Sequence, residues 1–160
     1  MSNRQTPQGK REQLFQHLLT QLIDSANHIH RYESKPRQYG TEDVLFMVEC
    51  HTLEAIGDNP SITNTELANL MGKSKSAISQ TINKLIKKQL LIKVPHPDNN
   101  LNQLFELTQR GTIVYNYHRE FDVQNYRAIQ NILDGFSDEE LAIHIKVQAS
   151  INEILKANAE

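Results

Sequence analysis

Thr63-Asn64-Thr65-Glu66-Leu67-Ala68-Asn69-Leu70-Met71-Gly72-Lys73-Ser74-Lys75-Ser76-Ala77-Ile78-Ser79-Gln80-Thr81-Ile82-Asn83-Lys84-Leu85 is punctuated as two short helices joined by a tight turn. Thr63 and Glu66 have the spacing of a capping box, in which each side chain satisfies the other's free backbone amide, and Ile62 is placed to staple onto Leu67. A helix of about Asn64 to Met71 follows. Gly72 stands just past its last apolar residue, where a left-handed cap favours glycine. Ser74 then caps a second helix whose Ile78, Ile82, Leu85 and Ile86 recur at the spacing of one buried face. Its opposite face carries Ser76, Ser79, Gln80, Asn83 and Lys84.

Outward from this pair, Leu91 to Val94 and Leu104 to Leu107 are β-prone runs around His96-Pro97-Asp98-Asn99-Asn100, whose residues favour turns. That spacing predicts a hairpin. Upstream, Leu14, Phe15, Leu18, Leu19, Leu22, Ile23, Ala26 and Ile29 predict a long amphipathic helix over roughly Lys10 to Glu33. Pro36 and Gly40 interrupt the pattern, and Val44, Leu45, Val48, Leu53 and Ile56 predict a second helix that stops at Gly57. Downstream, helices are expected over Thr108 to Leu133 and from Ser137 to about Ala157. A second capping box (Ser137 with Glu140) and staple (Phe136 with Leu141) mark the start of the last one. The fold class is therefore mainly α with a small β-hairpin wing: a winged helix-turn-helix flanked by N- and C-terminal helices. Its division is residues 1–9 as a poorly ordered start and 10–160 as one domain. Within that domain 10–40 and 112–160 form the outer helices and 41–111 the winged helix-turn-helix.

The formal net charge of the 160 residues is −2, but the charge is unevenly spread. From Leu67 to Pro97 there is no Asp or Glu, while Lys73, Lys75, Lys84, Lys87, Lys88 and Lys93 all fall there. From Glu120 onward acids outnumber bases. A basic stretch confined to the helix-turn-helix is the electrostatic footprint of a double-stranded DNA partner. On the second helix Gln80 and Asn83 can each pair bidentately with an adenine edge, and Ser76 and Ser79 can bond base edges or phosphates. Lys73, Ser74, Lys75 and Lys84 are placed for phosphates, where they set register and salt-sensitive affinity.

Thr65-Glu66-Leu67-Ala68, the stretch Lys73 to Leu85, Leu90-Leu91-Ile92 and Leu107-Thr108-Gln109-Arg110-Gly111 resemble the MarR family of bacterial regulators, with order and spacing matched over Glu49 to Gly111. The resemblance implies a protomer dimerised through its first and last helices, binding pseudo-palindromic operators and usually repressing. The amphipathic terminal helices independently predict a homodimer. One departure concerns the wing. Family members commonly carry a basic tip there, whereas this chain has Asp98-Asn99-Asn100-Leu101-Asn102; Asn99, Asn100 and Asn102 can donate to a phosphate or the minor groove without adding charge. Weaker wing anchoring is expected, with Asn100→Ala costing less affinity than Lys75→Ala.

By the same resemblance, a crevice between dimerisation and DNA-binding parts would take an aromatic or phenolic effector, with Tyr39, His51, Tyr115 and His118 as candidate lining. A metal sensor built on His28, His30, His51 and His118 with Cys50 and Glu33 is the rival on the same scaffold, but the spacing supplies no local three-ligand cluster. No metal and no cofactor is expected. Cys50, among Val44, Leu45, Phe46, Met47 and Val48, reads as a buried thiol rather than a redox sensor, and as the single cysteine it forms no intrachain disulfide. A winged-helix interaction module that does not read DNA is the rival of another class, with the Asn-rich wing in its favour. No phosphate loop, GxSxG or HExxH sequence is present, so no enzyme is expected. The absence of a long apolar run and the polar start predict a cytoplasmic protein without a membrane partner.

Overall fold

The computed structural model describes residues 7–95 and 103–158. Among them are six helices: α1 (Pro7–Glu33), α2 (Met47–Asp58), α3 (Asn64–Leu70), α4 (Lys75–Lys87), α5 (Gln109–Leu133) and α6 (Asp138–Ala157). Four short strands pair in two antiparallel ribbons, β1 (Arg37–Gln38) with β2 (Val44–Leu45) and β3 (Leu91–Pro95) with β4 (Gln103–Leu107). The chain divides into two compact units, Met1–Tyr117 and His118–Glu160, with the division falling within α5.

The core of the first unit is the one drawn from the sequence. Ile78, Ile82 and Leu85 of α4 pack with Leu53 and Ile56 of α2 and Leu67 of α3, all essentially out of water. At roughly 1.5–3 kcal/mol for each such side chain, this burial is the main force holding the three helices together. In the hairpin Leu91 pairs with Leu107 and Val94 with Leu104, which sets Leu91, Leu104 and Phe105 inward. Thr63 adds a single bridge to Leu104 and so ties the start of α3 to the hairpin.

The helix ends follow their signals. Thr63 Oγ accepts from the Glu66 amide at 3.3 Å while the Glu66 carboxylate accepts from the Thr63 amide at 2.9 Å. Ser74 Oγ accepts from the Ala77 amide at 3.2 Å. Gly72 has φ +60°, the left-handed region that a side chain makes costly. Ser137 and Glu140 close the second box ahead of α6.

Three expectations need correction. The first helix begins at Pro7, so residues 7–9 are helical rather than irregular; 1–6 lie outside the described residues. Val44 and Leu45 do not open α2 but form β2, paired with β1 across a turn at Gly40, which has φ +67°. The helix starts three residues later because Glu49 reaches back: its Oε2 accepts from the Phe46 amide at 2.9 Å, fixing Phe46 as the cap. Gly57, read as a stop signal, lies inside α2, which runs to Asp58. Its missing side chain serves packing, because a Cβ there would come within 2.8 Å of the Tyr115 ring.

Candidate nucleic-acid interface

Burying Ile78, Ile82 and Leu85 forces the other side of α4 outward. Lys75, Ser76, Gln80, Asn83 and Lys84 are exposed, and so are Lys73 and Ser74 at the turn that leads into the helix. Five predicted side chains on α4 and the turn lysine Lys73 are therefore accessible together, with Ser74 beside them as the cap of the helix. Ser79 differs: it is half-buried, and its Oγ accepts from Asn64 Nδ2 at 3.0 Å. Asn64 itself escapes sequence reading, since its partner lies fifteen positions on and only the packing of α3 on α4 brings them together.

The basic stretch also sorts itself. Lys73, Lys75, Lys84, Lys87 and Lys93 face solvent, but Lys88 turns inward, its Nζ donating to Glu49 Oε1 at 2.6 Å and to the Val44 carbonyl at 2.9 Å. Lys88 thereby fixes the end of α4 against the start of α2 and is withdrawn from any phosphate. At the base of the hairpin, Thr108 Oγ accepts from the Gly111 amide at 3.0 Å and donates to the Gln89 carbonyl at 2.7 Å. Arg110 Nη2 pairs with Asp43 Oδ2 at 2.7 Å. The Thr108 bonds anchor the base of the hairpin to the end of α4, and the Arg110 pair ties the start of α5 to the segment between β1 and β2. Asn99, Asn100 and Asn102 at its tip lie outside the described residues.

A groove of about 660 Å³ runs beside this face. His30 and Glu33 of α1, Phe46 and His51 at the start of α2, and Lys73 and Lys84 of the helix-turn-helix line it. Of the four predicted effector residues His51 alone reaches this groove. Tyr115 is engaged at the far end of α2, where its hydroxyl donates to the Asp58 carboxylate. Tyr39 is buried, and that burial, reinforced by the neighbouring Cys50 and opposed by Arg37, pushes its phenol up to about 12. His118 belongs to the second unit, where its Nδ1 lies 3.7 Å from Asp122 Oδ2 one helical turn on. Cys50 is buried and takes part in no disulfide among the described residues.

In the second unit the apolar residues lie largely on the surface. Tyr126, Ile129 and Ile132 of α5 and Ile143, Ile145 and Ile154 of α6 are each more than half exposed, and no residue of α6 is buried. In the first unit Leu14, Ile23 and Ile29 of α1 are exposed to a similar degree. No helix among the described residues is long and apolar enough to cross a membrane.

Comparison with known proteins agrees with this geometry. The MarR family model matches residues 45–100. The HTH-type transcriptional regulator PchR of Bacillus subtilis (strain 168) is 28% identical over 111 residues, which cover 69% of this chain and 66% of that regulator's own length. The HTH-type transcriptional regulator YhjH of the same organism is 27% identical over 104 residues, covering 65% of this chain and 59% of that one. The chain thus spans just under two thirds of the length of these relatives. Among solved structures, Streptococcus pneumoniae FabT in complex with DNA aligns with a TM-score of 0.64 at 21% identity, covering 91% of this chain and 98% of that one. The zinc-responsive MarR family member ZitR of Lactococcus lactis aligns with a TM-score of 0.71 at 17% identity, covering 88% and 99%. At such identities the structural likeness speaks for the fold.

Proposed function

We propose that the chain, whose residues 45–100 match the MarR family model, is a member of that family and a non-enzymatic transcriptional regulator that binds duplex DNA sequence-specifically, as a homodimeric repressor on a pseudo-palindromic operator. The observation that carries this reading is α4 itself. One side is locked into the core by Ile78, Ile82 and Leu85, while the other presents Ser76, Gln80, Asn83 and Lys84 next to Lys73 and Lys75, in a stretch without acids. A helix held so firmly can enter a major groove with its polar side chains at base edges and its flanking lysines at phosphates.

Dimerisation accounts for the exposed apolar faces of α1, α5 and α6. A second copy covering them would remove several isoleucine side chains from water at once, and a twofold axis would present two recognition helices to two half-sites. Ligand response is assigned to the groove, because an occupant there would touch Lys73 and Lys84 and so act on the DNA-binding face directly. An aromatic or phenolic effector is the reading carried over from the family. A divalent metal is the second, prompted by His30, Glu33 and His51 among the residues that line the groove and by the zinc response of ZitR.

Selection of bound molecules from a pool of random-sequence duplex DNA tests the function. Enrichment of an inverted repeat, with half-sites about one helical turn apart and two chains bound per site, is expected. Enrichment of nothing, with no salt-sensitive binding to the pool, would instead support an interaction module that reuses the fold.

A further inference from the structure

Within α4, two hydroxyls near the exposed face are handled in opposite ways. Thr81 donates back to the Ala77 carbonyl at 3.1 Å and so spends its hydrogen inside its own helix. Ser79 instead accepts: Asn64 Nδ2, from the first residue of α3, donates to its Oγ at 3.0 Å. Among the described residues the Ser79 hydroxyl donates to no protein group.

The direction of the Asn64 contact is fixed by a third group. The same Nδ2 lies 3.5 Å from the Lys75 carbonyl, which can only accept. Turning the amide over would set Oδ1 against that carbonyl and leave the two N–H donors in the buried position that Oδ1 now fills without a partner. The nitrogen therefore faces α4, and Ser79 is the acceptor.

Resting on the reading of α4 as the recognition helix, we infer that Asn64 is a positioning residue for DNA specificity: by occupying a lone pair of Ser79 it turns that hydroxyl into a directed donor. A lone serine tolerates donors and acceptors alike. A serine already accepting from Asn64 keeps one lone pair, but its hydrogen has no partner among the described residues and calls for an acceptor at the DNA, which guanine (N7, O6), adenine (N7) and thymine (O4) supply in the major groove. Cytosine presents only its N4 amine there and leaves the hydroxyl hydrogen unmatched. Ser79 thus disfavours cytosine at the base it faces, and Asn64 sets that preference without touching DNA.

The test is selection from a random-sequence duplex pool with the full chain and with Ser79→Ala, Asn64→Leu and Asn64→Asp. The wild-type chain is expected to deplete cytosine at one position per half-site by roughly three- to tenfold, the value of about one net hydrogen bond. Ser79→Ala and Asn64→Leu both erase that depletion and leave the other positions unchanged. Asn64→Asp is the sharper variant: it can only accept and so gives up the 3.5 Å contact to the Lys75 carbonyl, while an acid in the first turn suits the helix and offsets that loss. It takes the Ser79 hydrogen, leaves lone pairs facing the groove, and shifts the preference at that position toward the amines of cytosine and adenine. If both Asn64 variants keep the wild-type preference at the position that Ser79→Ala marks, or if Ser79→Ala marks none, the inference is wrong while DNA reading stands. If the wild-type chain enriches no sequence, DNA reading fails and the inference falls with it.

Discussion

Lys88 Nζ lies 2.6 Å from Glu49 Oε1, and this pair couples the end of α4 to the start of α2. Glu49 is only 3% exposed, and its other oxygen caps α2 through the Phe46 amide. One carboxylate thus places the start of α2 and holds the end of α4 against it.

Lys88→Met leaves that carboxylate buried without its cation and is expected to lower the free energy of unfolding by about 2 kcal/mol, the scale of a hydrogen bond to a charged group. Glu49→Gln keeps a single acceptor and turns its amide nitrogen toward either the Phe46 amide or the Lys88 ammonium, so it is expected to cost at least as much. Urea unfolding at one fixed protein concentration measures both. Equal stability of Lys88→Met and wild type would show that the pair holds nothing.

Gly111 meets the backbone of the turn before the hairpin. A Cβ at this position would overlap the Leu90 carbonyl oxygen, which already accepts from the Thr108 amide. Neither main-chain group can move without opening the hairpin base, so Gly111→Ala is expected to destabilise by about 3 kcal/mol or more. Gly72→Ala meets no atom within 4 Å and is strained only by its positive φ, so it is expected to cost about 1 kcal/mol. Thermal unfolding of the two variants in parallel checks the order.

How much of this is legible in the sequence follows from how local each signal is. Thr63, Glu66, Gly72, Ser74, Ser137 and Glu140 act within a few residues of themselves, so the helix ends they set can be read directly. The inward face of α4 is equally legible, because three residues at helical spacing suffice to define it. The ribbon of β1 and β2 is not, because two-residue strands leave no periodicity and Val44 and Leu45 fit a helical stripe as well. Asn64 with Ser79 and Glu49 with Lys88 join residues fifteen and thirty-nine positions apart, distances that only tertiary packing closes. The surroundings of Tyr115 are not legible for the same reason: it reads as an aromatic near a crevice, while its ring packs on Gly57 and its hydroxyl donates to Asp58.

Tyr39 gives a pH signature. Its phenol is raised from 10.0 to about 12 in the folded chain, chiefly by burial. The unfolded chain releases this proton first as pH rises, so the native state loses stability between about pH 10 and pH 12, and Tyr39 contributes no slope below that window. Tyr39→Phe is expected to flatten the fall in stability within it. Ultraviolet titration of the native protein should show an ionisation delayed to about pH 12 that is missing from Tyr39→Phe; identical titration curves for the two would contradict the burial.

The exposed isoleucines of α6 predict an interface. Ile154, 64% exposed, is expected to be covered by the second copy, so Ile154→Glu would bury a carboxylate without a partner and weaken self-association by roughly tenfold or more. Sedimentation across a concentration series checks this. A wild-type chain that is monomeric throughout, or a variant indistinguishable from it, would rule out α6 as the contact.

The most direct measurement of the central claim is the salt dependence of binding to a random-sequence duplex, for the wild-type chain and for Lys73→Gln, Lys75→Gln and Lys84→Gln combined. These three lysines are exposed beside α4, and none takes part in the core. If they meet phosphates, the triple variant should bind more weakly and the slope of log affinity against log salt should become shallower by about 0.9 for each phosphate that is no longer neutralised. Unchanged affinity and slope in the triple variant would contradict docking of α4 and its turn against DNA.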